Sequence, residues 1–220
     1  MSNEIEMQRR FWDSENEAFD SIYTHEKSKF QILLDKIFRK DMYQRFEFTI
    51  ENSEPIKGKT FLDVGCGTGL YSVEFAKREA EHVVGLDISK IMIQSSLKYA
   101  RDNNVEKSCD FSQTDLLEYK ANVKFDVTIG IGLFDYIKDP LPVIKKMREL
   151  TDDKLILSFP RFFTWRAPVR KVRLALKNCD VYFYTRRGIK SLMKAAGIRE
   201  HRIEKVGKLY CVVAFCNGSK

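Results

Sequence analysis

The sequence predicts an α/β fold with a doubly wound sheet, and two observations lead to this prediction. Short apolar runs alternate with helical patterns between residues 58 and 159, as a doubly wound sheet requires. The first run, Phe61–Val64, suits a strand covered on both faces and breaks into a glycine-rich turn. An apolar helical pattern begins at Leu70, so the exposed N–H groups of a helix face any ligand held by the turn.

Five strands and the helices between them account for residues 58–159. Ser89 is placed to cap one of these helices, and Pro140 fits the first turn of another. The predicted strands are Phe61–Val64, His82–Asp87, Cys109–Gln113, Phe125–Gly132 and Leu155–Phe159.

Residues 1–57 carry no strand-like alternation and predict helices instead. Apolar residues between Phe11 and Tyr23 indicate one amphipathic helix or two short ones, and a longer helix runs from about Ser28 to Ile50. For each polar residue of this region that could reach a pocket, a surface or helix-packing role is the favoured interpretation. These residues are Tyr23, His25, Arg39, Tyr43 and Arg45.

Residues 160–184 interrupt the alternation with a basic and aromatic segment. Pro168 can open a helix in this segment. The basic residues of that helix fall on one face and are Arg166, Arg170, Arg173 and Lys177. A helix over Arg186–Gly197 and a terminal hairpin that turns at Gly207 complete the chain.

The net charge of +7 is unevenly spread along the 220 residues. Residues 160–208 carry 14 Lys and Arg against 3 Asp and Glu, a balance of +11, which leaves −4 for the remainder. A basic C-terminal lobe on a slightly acidic body suggests an anionic partner. A solvated face that keeps the protein in solution is the alternative, and both interpretations stay open.

Length and composition also bound the class of protein. The chain is long enough to bury a full core as one α/β domain with a decoration. It has no apolar run of membrane-spanning length and no signal-peptide pattern at its start, so a cytoplasmic location is expected. The five cysteines lack metal-ligand spacing, so reduced thiols and no metal site are expected.

The glycine-rich turn carries the most specific signal in the sequence. Gly65, Gly67 and Gly69 are spaced as G-x-G-x-G, and Leu70 stands where a dinucleotide fingerprint would have its last glycine. Asp63 lies two residues before the first glycine, and Asp87 ends the next strand. This D-x-G-x-G-x-G pattern, followed by an acidic residue on the next strand, resembles motif I of the class I S-adenosylmethionine-dependent methyltransferases.

The resemblance implies a Rossmann-like methyltransferase sheet with an antiparallel last strand. It also implies an N-terminal helical cap over residues 1–57, a methyltransferase domain over 58–220 and an inserted lid over 160–184. The implied cofactor is S-adenosylmethionine, held at the carboxyl ends of the strands. The implied cofactor-binding residues are Asp63, Gly65, Cys66, Gly67, Gly69, Asp87, Ile88, Met92, Asp115, Leu116, Gly130 and Ile131.

These residues would meet different parts of the cofactor. Asp63 would act through the ammonium of the methionine tail or through hydrogen bonds within the loop, and Asp87 would accept from both ribose hydroxyls. Ile88 and Met92 would pack on the adenine. The adenine amine would donate to Asp115 with the Leu116 N–H nearby, and Gly130 and Ile131 would lie under the sulfonium.

The implied reaction is methyl transfer to a small, anionic acceptor. Asp135 and Tyr136 follow the fourth strand, where many small-molecule members of the family have histidines, and either could orient an acceptor. A loop role without catalytic importance is their alternative. The segment after the fifth strand resembles an insertion of the magnesium-protoporphyrin O-methyltransferases. That likeness implies a carboxylate-bearing, partly hydrophobic acceptor, which Arg161, Arg166 and Arg170 could hold through bidentate contacts. Tyr23 of the N-terminal region is a further predicted acceptor contact.

Three other functions stay open at this point. Aromatic residues beside the basic segment suit an anionic membrane surface, so the acceptor could be a lipid or a lipid-linked molecule. The charge favours nucleic acid, but the sequence contains no recognised RNA-binding module, which makes this partner unlikely. A non-catalytic protein that binds S-adenosylmethionine is the third.

Overall fold

The computed structural model describes residues 3–14, 42–162 and 180–216. The described helices are α1 (Asn3–Ser14), α2 (42–53), α3 (Leu70–Lys77), α4 (Lys90–Asp102), α5 (Pro140–Glu149) and α6 (Arg186–Ala195). The strands are β1 (Thr60–Val64), β2 (His82–Asp87), β3 (Cys109–Gln113), β4 (Phe125–Gly130), β5 (Thr151–Pro160), β6 (Glu200–Val206) and β7 (Leu209–Phe215).

The seven strands form one mixed sheet in the order β3-β2-β1-β4-β5-β7-β6. Strands β1 to β5 pair in parallel, whereas β7 runs antiparallel to both β5 and β6. The Rossmann-like sheet with an antiparallel last strand is therefore confirmed. The strand order reverses between β1 and β4, and such a switch point opens a crevice at the carboxyl ends of the strands.

Two apolar clusters cover the two faces of the sheet, as the apolar composition of the strands predicts. Successive residues of β1 enter opposite clusters, with Phe61 in one and Leu62 in the other. The Phe61 ring stacks on Phe75 of α3 at 4.2 Å, and Phe134 stacks on Phe159 of β5 at 4.6 Å. The Phe134–Phe159 pair lies at the carboxyl edge of the sheet and helps to fix the edge on which the crevice is built.

Side-chain caps begin three of the helices. Ser89 Oγ accepts from the Met92 amide at the start of α4, as predicted from the sequence. Asp139 caps α5, whose first residue is Pro140, as expected, and Thr185 caps α6.

Some boundaries differ from the sequence-based prediction for local reasons. Strand β4 ends at Gly130 rather than Gly132, because Gly132 turns the chain with φ +78°. Strand β5 begins at Thr151 rather than Leu155, because its polar first residues extend the pairing with β4. Helix α2 continues to residue 53, where the Asn52 and Ser53 side chains donate to carbonyls one turn earlier.

Several sequence-based expectations fall on residues outside the described ranges. Among these are Tyr23, most of the predicted helix that begins near Ser28, and the helix opened by Pro168 with Arg166 and Arg170. Within the described ranges, no helix is both long enough and apolar enough to cross a membrane.

Candidate active site

The glycine turn after β1 forms the floor of the crevice. Gly65, Gly67 and Gly69 all have left-handed φ angles, of +71°, +55° and +81°. A Cβ on Gly65 would lie 3.1 Å from Leu133, and one on Gly69 would lie 2.9 Å from Ser96. A Cβ on Gly67 would meet nothing within 4 Å, so this is the position at which a ligand can approach the backbone.

The carboxylate of Asp87 ties the end of β2 to this turn. Its Oδ2 accepts from the Gly67 amide at 3.0 Å, and its Oδ1 accepts from the Ser89 amide at 2.9 Å. Burial raises the pKa of Asp87, and these backbone N–H groups oppose that effect. Each carboxylate oxygen retains acceptor capacity, so Asp87 can also bind a pair of ligand hydroxyls.

Asp63 lies behind the turn and is almost fully buried, with 2 % of its surface exposed. Its Oδ2 accepts from Ser72 Oγ of α3 at 2.7 Å. Burial raises the pKa of Asp63 to about 7, the Ser72 hydrogen bond lowers it, and the charge of Asp87 raises it further. Of the two roles expected from the sequence, the structure gives Asp63 a partner within the loop and helix.

The predicted adenine-side residues lie together beyond β2. Met92 is buried in the first turn of α4, and Ile88 is half-buried. Asp115 accepts from the Leu117 amide at 2.9 Å, which forms a tight turn around the buried Leu116. The Thr114 amide donates to the Asp87 carbonyl at 3.0 Å and holds this turn at the end of β2.

The residues at and just after the end of β4 include the predicted Gly130 and Ile131 and, next to them, Gly132. A Cβ on Gly130 would lie 3.0 Å from Met147 of α5, so Gly130 packs against the core. A Cβ on Gly132 would lie 3.2 Å from Arg45 Nη1, so Gly132 lies under this guanidinium. Ile131 lies between them and is 9 % exposed.

Arg45 of α2 is the functional candidate for which the sequence favoured a packing role. Phe46, its neighbour, packs on Tyr71 at 5.5 Å and fixes α2 against the first turn of α3. The charge of Arg45 lowers the pKa of the Cys211 thiol on β7, against the larger upward effect of burial. The sequence signal that could have identified Arg45 is a cation next to the apolar stripe of a helix.

Helix α1 crosses the crevice and contacts both of its sides. Arg9 Nε donates to the Ile88 carbonyl at 3.1 Å, and Ser89 Oγ donates to Asp13 Oδ1 at 2.5 Å. On the other side, Gln8 Nε2 donates to the Tyr136 carbonyl at 2.6 Å. An α-helix rises about 8 Å between Gln8 and Asp13. This length is close to the distance between β2 and β4, which are two strand spacings apart, roughly 10 Å.

Helix α1 forms hydrogen bonds with residues that follow β2 and with residues that follow β4. Because β1 lies between these two strands, α1 passes over the end of β1. Helix α1 therefore covers the crevice into which the glycine turn opens. The sequence indicated an amphipathic helix only from Phe11 onward, whereas α1 begins at Asn3, and it gave Gln8, Arg9 and Asp13 no part in the site.

The two catalytic candidates lie in the loop after β4. Asp135 is 6 % exposed, and its carbonyl accepts from the Tyr182 amide at 2.8 Å. Tyr136 is half-buried and accepts from Gln8 of α1 through its carbonyl. The structure thus brings both residues to the edge of the crevice, in a loop whose backbone is held from two directions.

Arg161 has partners in the terminal hairpin. Its Nη1 donates to the Gly207 carbonyl at 3.0 Å, and its guanidinium lies 5.5 Å from the centre of the Tyr210 ring. Strand β7 lies on the far side of β5 from β4, so these contacts direct Arg161 away from Gly132.

Comparison with known proteins agrees with this architecture. A family model described as "Methyltransferase domain" matches residues 56–179, which is more than half of the chain. This chain belongs to that methyltransferase domain family. The resemblance read from the motif around Gly65 is therefore confirmed.

The methyltransferase domain is shared with curated relatives over part of their length. The ubiquinone biosynthesis O-methyltransferase of Actinobacillus pleuropneumoniae serotype 5b (strain L20) is 29% identical over 121 residues, which cover 52% of this chain and 50% of that one. The chain thus spans about half the length of the curated relatives it matches.

Two solved methyltransferase structures share the fold over nearly the whole chain. Magnesium protoporphyrin IX methyltransferase from Synechocystis PCC 6803, with bound SAH, is 21% identical with a TM-score of 0.74 and covers 97% of this chain and 99% of its own. Geranyl diphosphate C-methyltransferase from Streptomyces coelicolor A3(2) is 15% identical with a TM-score of 0.72 and covers 97% of each chain. At these identities the likeness is one of fold.

Proposed function

We propose that this chain is an S-adenosylmethionine-dependent methyltransferase that acts on a small, anionic acceptor. The observation that carries the proposal is the open Gly67 turn beside Asp87, beneath α1, in a member of the methyltransferase domain family. The two solved methyltransferase structures with this fold hold S-adenosylhomocysteine, the demethylated form of that cofactor.

The residues present fit the parts of the cofactor. Gly67 admits the methionine tail, and Asp87 accepts from the ribose hydroxyls through its remaining lone pairs. Ile88 and Met92 flank the adenine, and Asp115 accepts from its amine. When bound, the cofactor supplies an electrophilic methyl group on a sulfonium.

Arg45 adds a cation that the sequence did not assign to the cofactor. A guanidinium pairs with a carboxylate through two parallel hydrogen bonds, and the tail of the cofactor ends in a carboxylate. The position of Arg45 Nη1 over Gly132 suits it to that end of the tail. The buried carboxyl group of Asp63, at the same end of the crevice, would then interact with the ammonium of the methionine tail.

The chain's part in the reaction is alignment and exclusion of water. Helix α1 covers the crevice, and Asp135 or Tyr136 orients the acceptor at its edge. A carboxylate acceptor needs no general base, so a site without a histidine after β4 remains competent for it.

The anionic acceptor is proposed from charge and from the relatives. Residues 160–208 carry a net charge of +11. One structural relative is named for geranyl diphosphate, an anion, and another for magnesium protoporphyrin IX. Tyr23, Arg166 and Arg170 remain predicted acceptor contacts. The division of the chain into a cap over residues 1–57, a methyltransferase domain over 58–220 and an inserted lid over 160–184 also remains a prediction.

A lipid-linked acceptor at a membrane surface is the second candidate. Phe162 follows the end of β5 and is 54 % exposed, so its ring presents a large apolar surface to solvent. Together with the basic lobe, this ring suits peripheral contact with anionic lipid in a cytoplasmic protein.

Transfer of labelled methyl groups separates these functions. Purified protein is incubated with methyl-labelled S-adenosylmethionine and a cell extract, which is then split into lipid, nucleic acid, protein and small-molecule pools. We expect label in the small-molecule pool. Label in lipid would favour the second candidate, and absence of label with cofactor binding intact would favour a non-catalytic binding protein.

A further inference from the structure

The loop after β4, residues 133–137, has an unusual run of occupied carbonyls. Each of its five carbonyls has a donor in the described part of the chain within 3.3 Å, and the single hydroxyl proton of Tyr184 is shared between two of them. Their donors are the Tyr136 amide for Leu133 (3.2 Å), Tyr184 Oη for Phe134 (3.1 Å) and Ile137 (3.3 Å), the Tyr182 amide for Asp135 (2.8 Å) and Gln8 Nε2 for Tyr136 (2.6 Å). Loops seldom have a protein donor within reach of every carbonyl, since most of them run through solvent.

One side of this loop is held by α1. Gln8, the donor to Tyr136, lies on the same helix as Arg9 and Asp13, which bond to residues directly after Asp87. An α-helix moves as a rigid rod over so short a length, because its backbone hydrogen bonds are internal. The position that α1 takes at the end of β2 therefore sets the position of Gln8 over Tyr136.

The other side of the loop is held by the segment 180–184. Besides its contacts with the loop, Tyr184 donates its amide to the Pro160 carbonyl at 2.8 Å and accepts from the Phe162 amide at 3.0 Å. Residues 160–162 and 180–184 are the two ends of the stretch that the sequence predicts as the lid. The loop therefore contacts the base of that stretch directly.

Aromatic packing joins these contacts to the core. The Phe134 ring stacks on Phe159, and the Tyr184 ring meets the same Phe159 edge-on at 5.0 Å. Interlocked aromatic rings in a close-packed core transmit a displacement rather than absorb it.

We infer that the loop 133–137 couples the cofactor crevice to the base of the predicted lid, with Gln8 and Tyr184 as the positioning residues on its two sides. A ligand held beneath α1 stabilises the Gln8 contact, which fixes the loop and, through Tyr182 and Tyr184, the segment that flanks the acceptor side. Because such coupling is reciprocal, bound cofactor would strengthen acceptor binding and bound acceptor would strengthen cofactor binding by the same factor. This inference rests on the proposed function, because it requires the crevice to hold S-adenosylmethionine or its product.

Hydrogen exchange measured by NMR tests the coupling without an acceptor. The reporter is the Tyr182 amide, which donates to Asp135 and lies in the segment 180–184, and the probe is S-adenosylhomocysteine, with its binding measured by calorimetry. In the wild-type protein we expect saturating probe to slow exchange at Tyr182 about tenfold, a coupling typical of linked sites.

Two variants test the two sides of the loop separately, one at its contact with α1 and the other at its contact with the segment 180–184. Gln8→Ala deletes the donor to Tyr136, and Tyr184→Phe deletes the hydroxyl but keeps the ring that packs on Phe159. We expect both variants to bind the probe while its effect on Tyr182 exchange falls to threefold or less. Arg10→Ala is the control, since Arg10 lies on the same helix with 79 % of its side chain exposed and pairs with Glu6.

The outcomes distinguish the two claims. If the probe binds and leaves Tyr182 exchange unchanged in the wild type, or if both variants keep the full effect, the coupling is wrong and the proposed function stands. If calorimetry finds no binding of the probe to the wild type, the proposed cofactor fails and the inference fails with it.

Discussion

The Gly67 amide donates to the carboxylate of Asp87 at 3.0 Å, so the open end of the glycine turn and the acid of β2 form one unit. Each of the two residues is held in place by the other, and both face the crevice beneath α1. A substitution at either position therefore tests the cofactor site directly.

Asp87→Ala should weaken binding of S-adenosylmethionine by roughly 100-fold, because two hydrogen bonds to a charged acceptor contribute about 1.5 kcal/mol each. Isothermal titration calorimetry measures the change. Asp110→Ala on β3 is the matched control, since its exposed carboxylate pairs with His82 on the edge of the sheet. Equal affinities in wild type and Asp87→Ala would remove Asp87 from the cofactor site.

Gly67→Ala and Gly69→Ala should separate binding from folding. Both put a side chain at positive φ, which costs about 1–2 kcal/mol, but only the Cβ at position 69 meets another atom, Ser96 Cβ at 2.9 Å. We expect Gly67→Ala to lose more than tenfold in cofactor affinity with little further loss of stability. Gly69→Ala should lose a further 1–3 kcal/mol from overpacking.

Urea unfolding and calorimetry on the same two variants provide the measurement. A Gly67→Ala variant that bound cofactor as tightly as the wild type would show that no ligand approaches the backbone at this point.

Asp63→Asn should flatten the dependence of stability on pH. The pKa of Asp63 is about 7 in the folded protein against an ordinary value of 3.8, so the folded state binds more protons than the unfolded state between these values. Stability contributed by this residue is thus fully present below about pH 4 and falls as pH rises to about 7. The asparagine keeps an acceptor for Ser72 and does not ionise.

The free energy of unfolding in urea at pH 5 and pH 8 measures this effect. The stability of Asp63→Asn relative to wild type should rise by roughly 2–4 kcal/mol between the two pH values. A difference that stays constant with pH would mean that Asp63 is already ionised in the folded protein at pH 5.

Arg45→Gln should discriminate between ligands with and without an amino-acid tail. Loss of the charged pair between Arg45 and the tail carboxylate should weaken the binding of S-adenosylhomocysteine roughly 10- to 100-fold. Methylthioadenosine, which keeps the adenine and ribose but has no tail, should bind both proteins equally. Calorimetry with the two ligands makes the comparison, and an equal loss for both would assign Arg45 to helix packing alone.

The sheet and the glycine turn could be predicted because their signals are local. The apolar run from Phe61 and the spacing of Gly65, Gly67 and Gly69 lie within a few residues of the structure they specify. The cover of the crevice could not be predicted in this way, because Gln8 meets Tyr136, 128 residues later. No local pattern distinguishes that glutamine from any other on a polar helix face.

Charged residues show the same limit. Arg45 resembled a packing residue because it neighbours an apolar stripe, yet the fold brings Gly132 beneath it. Arg161 resembled an acceptor contact because it belongs to a basic lobe, yet its guanidinium bonds to the Gly207 carbonyl of the terminal hairpin, which lies beside it because β7 pairs with β5. In both cases the partner comes from a distant element of the sheet.

The identity of the ligand in the crevice is the central claim, and NMR titration of the ¹⁵N-labelled protein tests it most directly. S-adenosylmethionine and NAD are added in separate titrations, since a glycine turn after a strand could serve either. We predict saturable shifts of the Gly65, Gly67, Gly69 and Ser89 amides with S-adenosylmethionine and none with NAD. Unchanged amides with S-adenosylmethionine, or the same shifts with NAD, would contradict the proposed function.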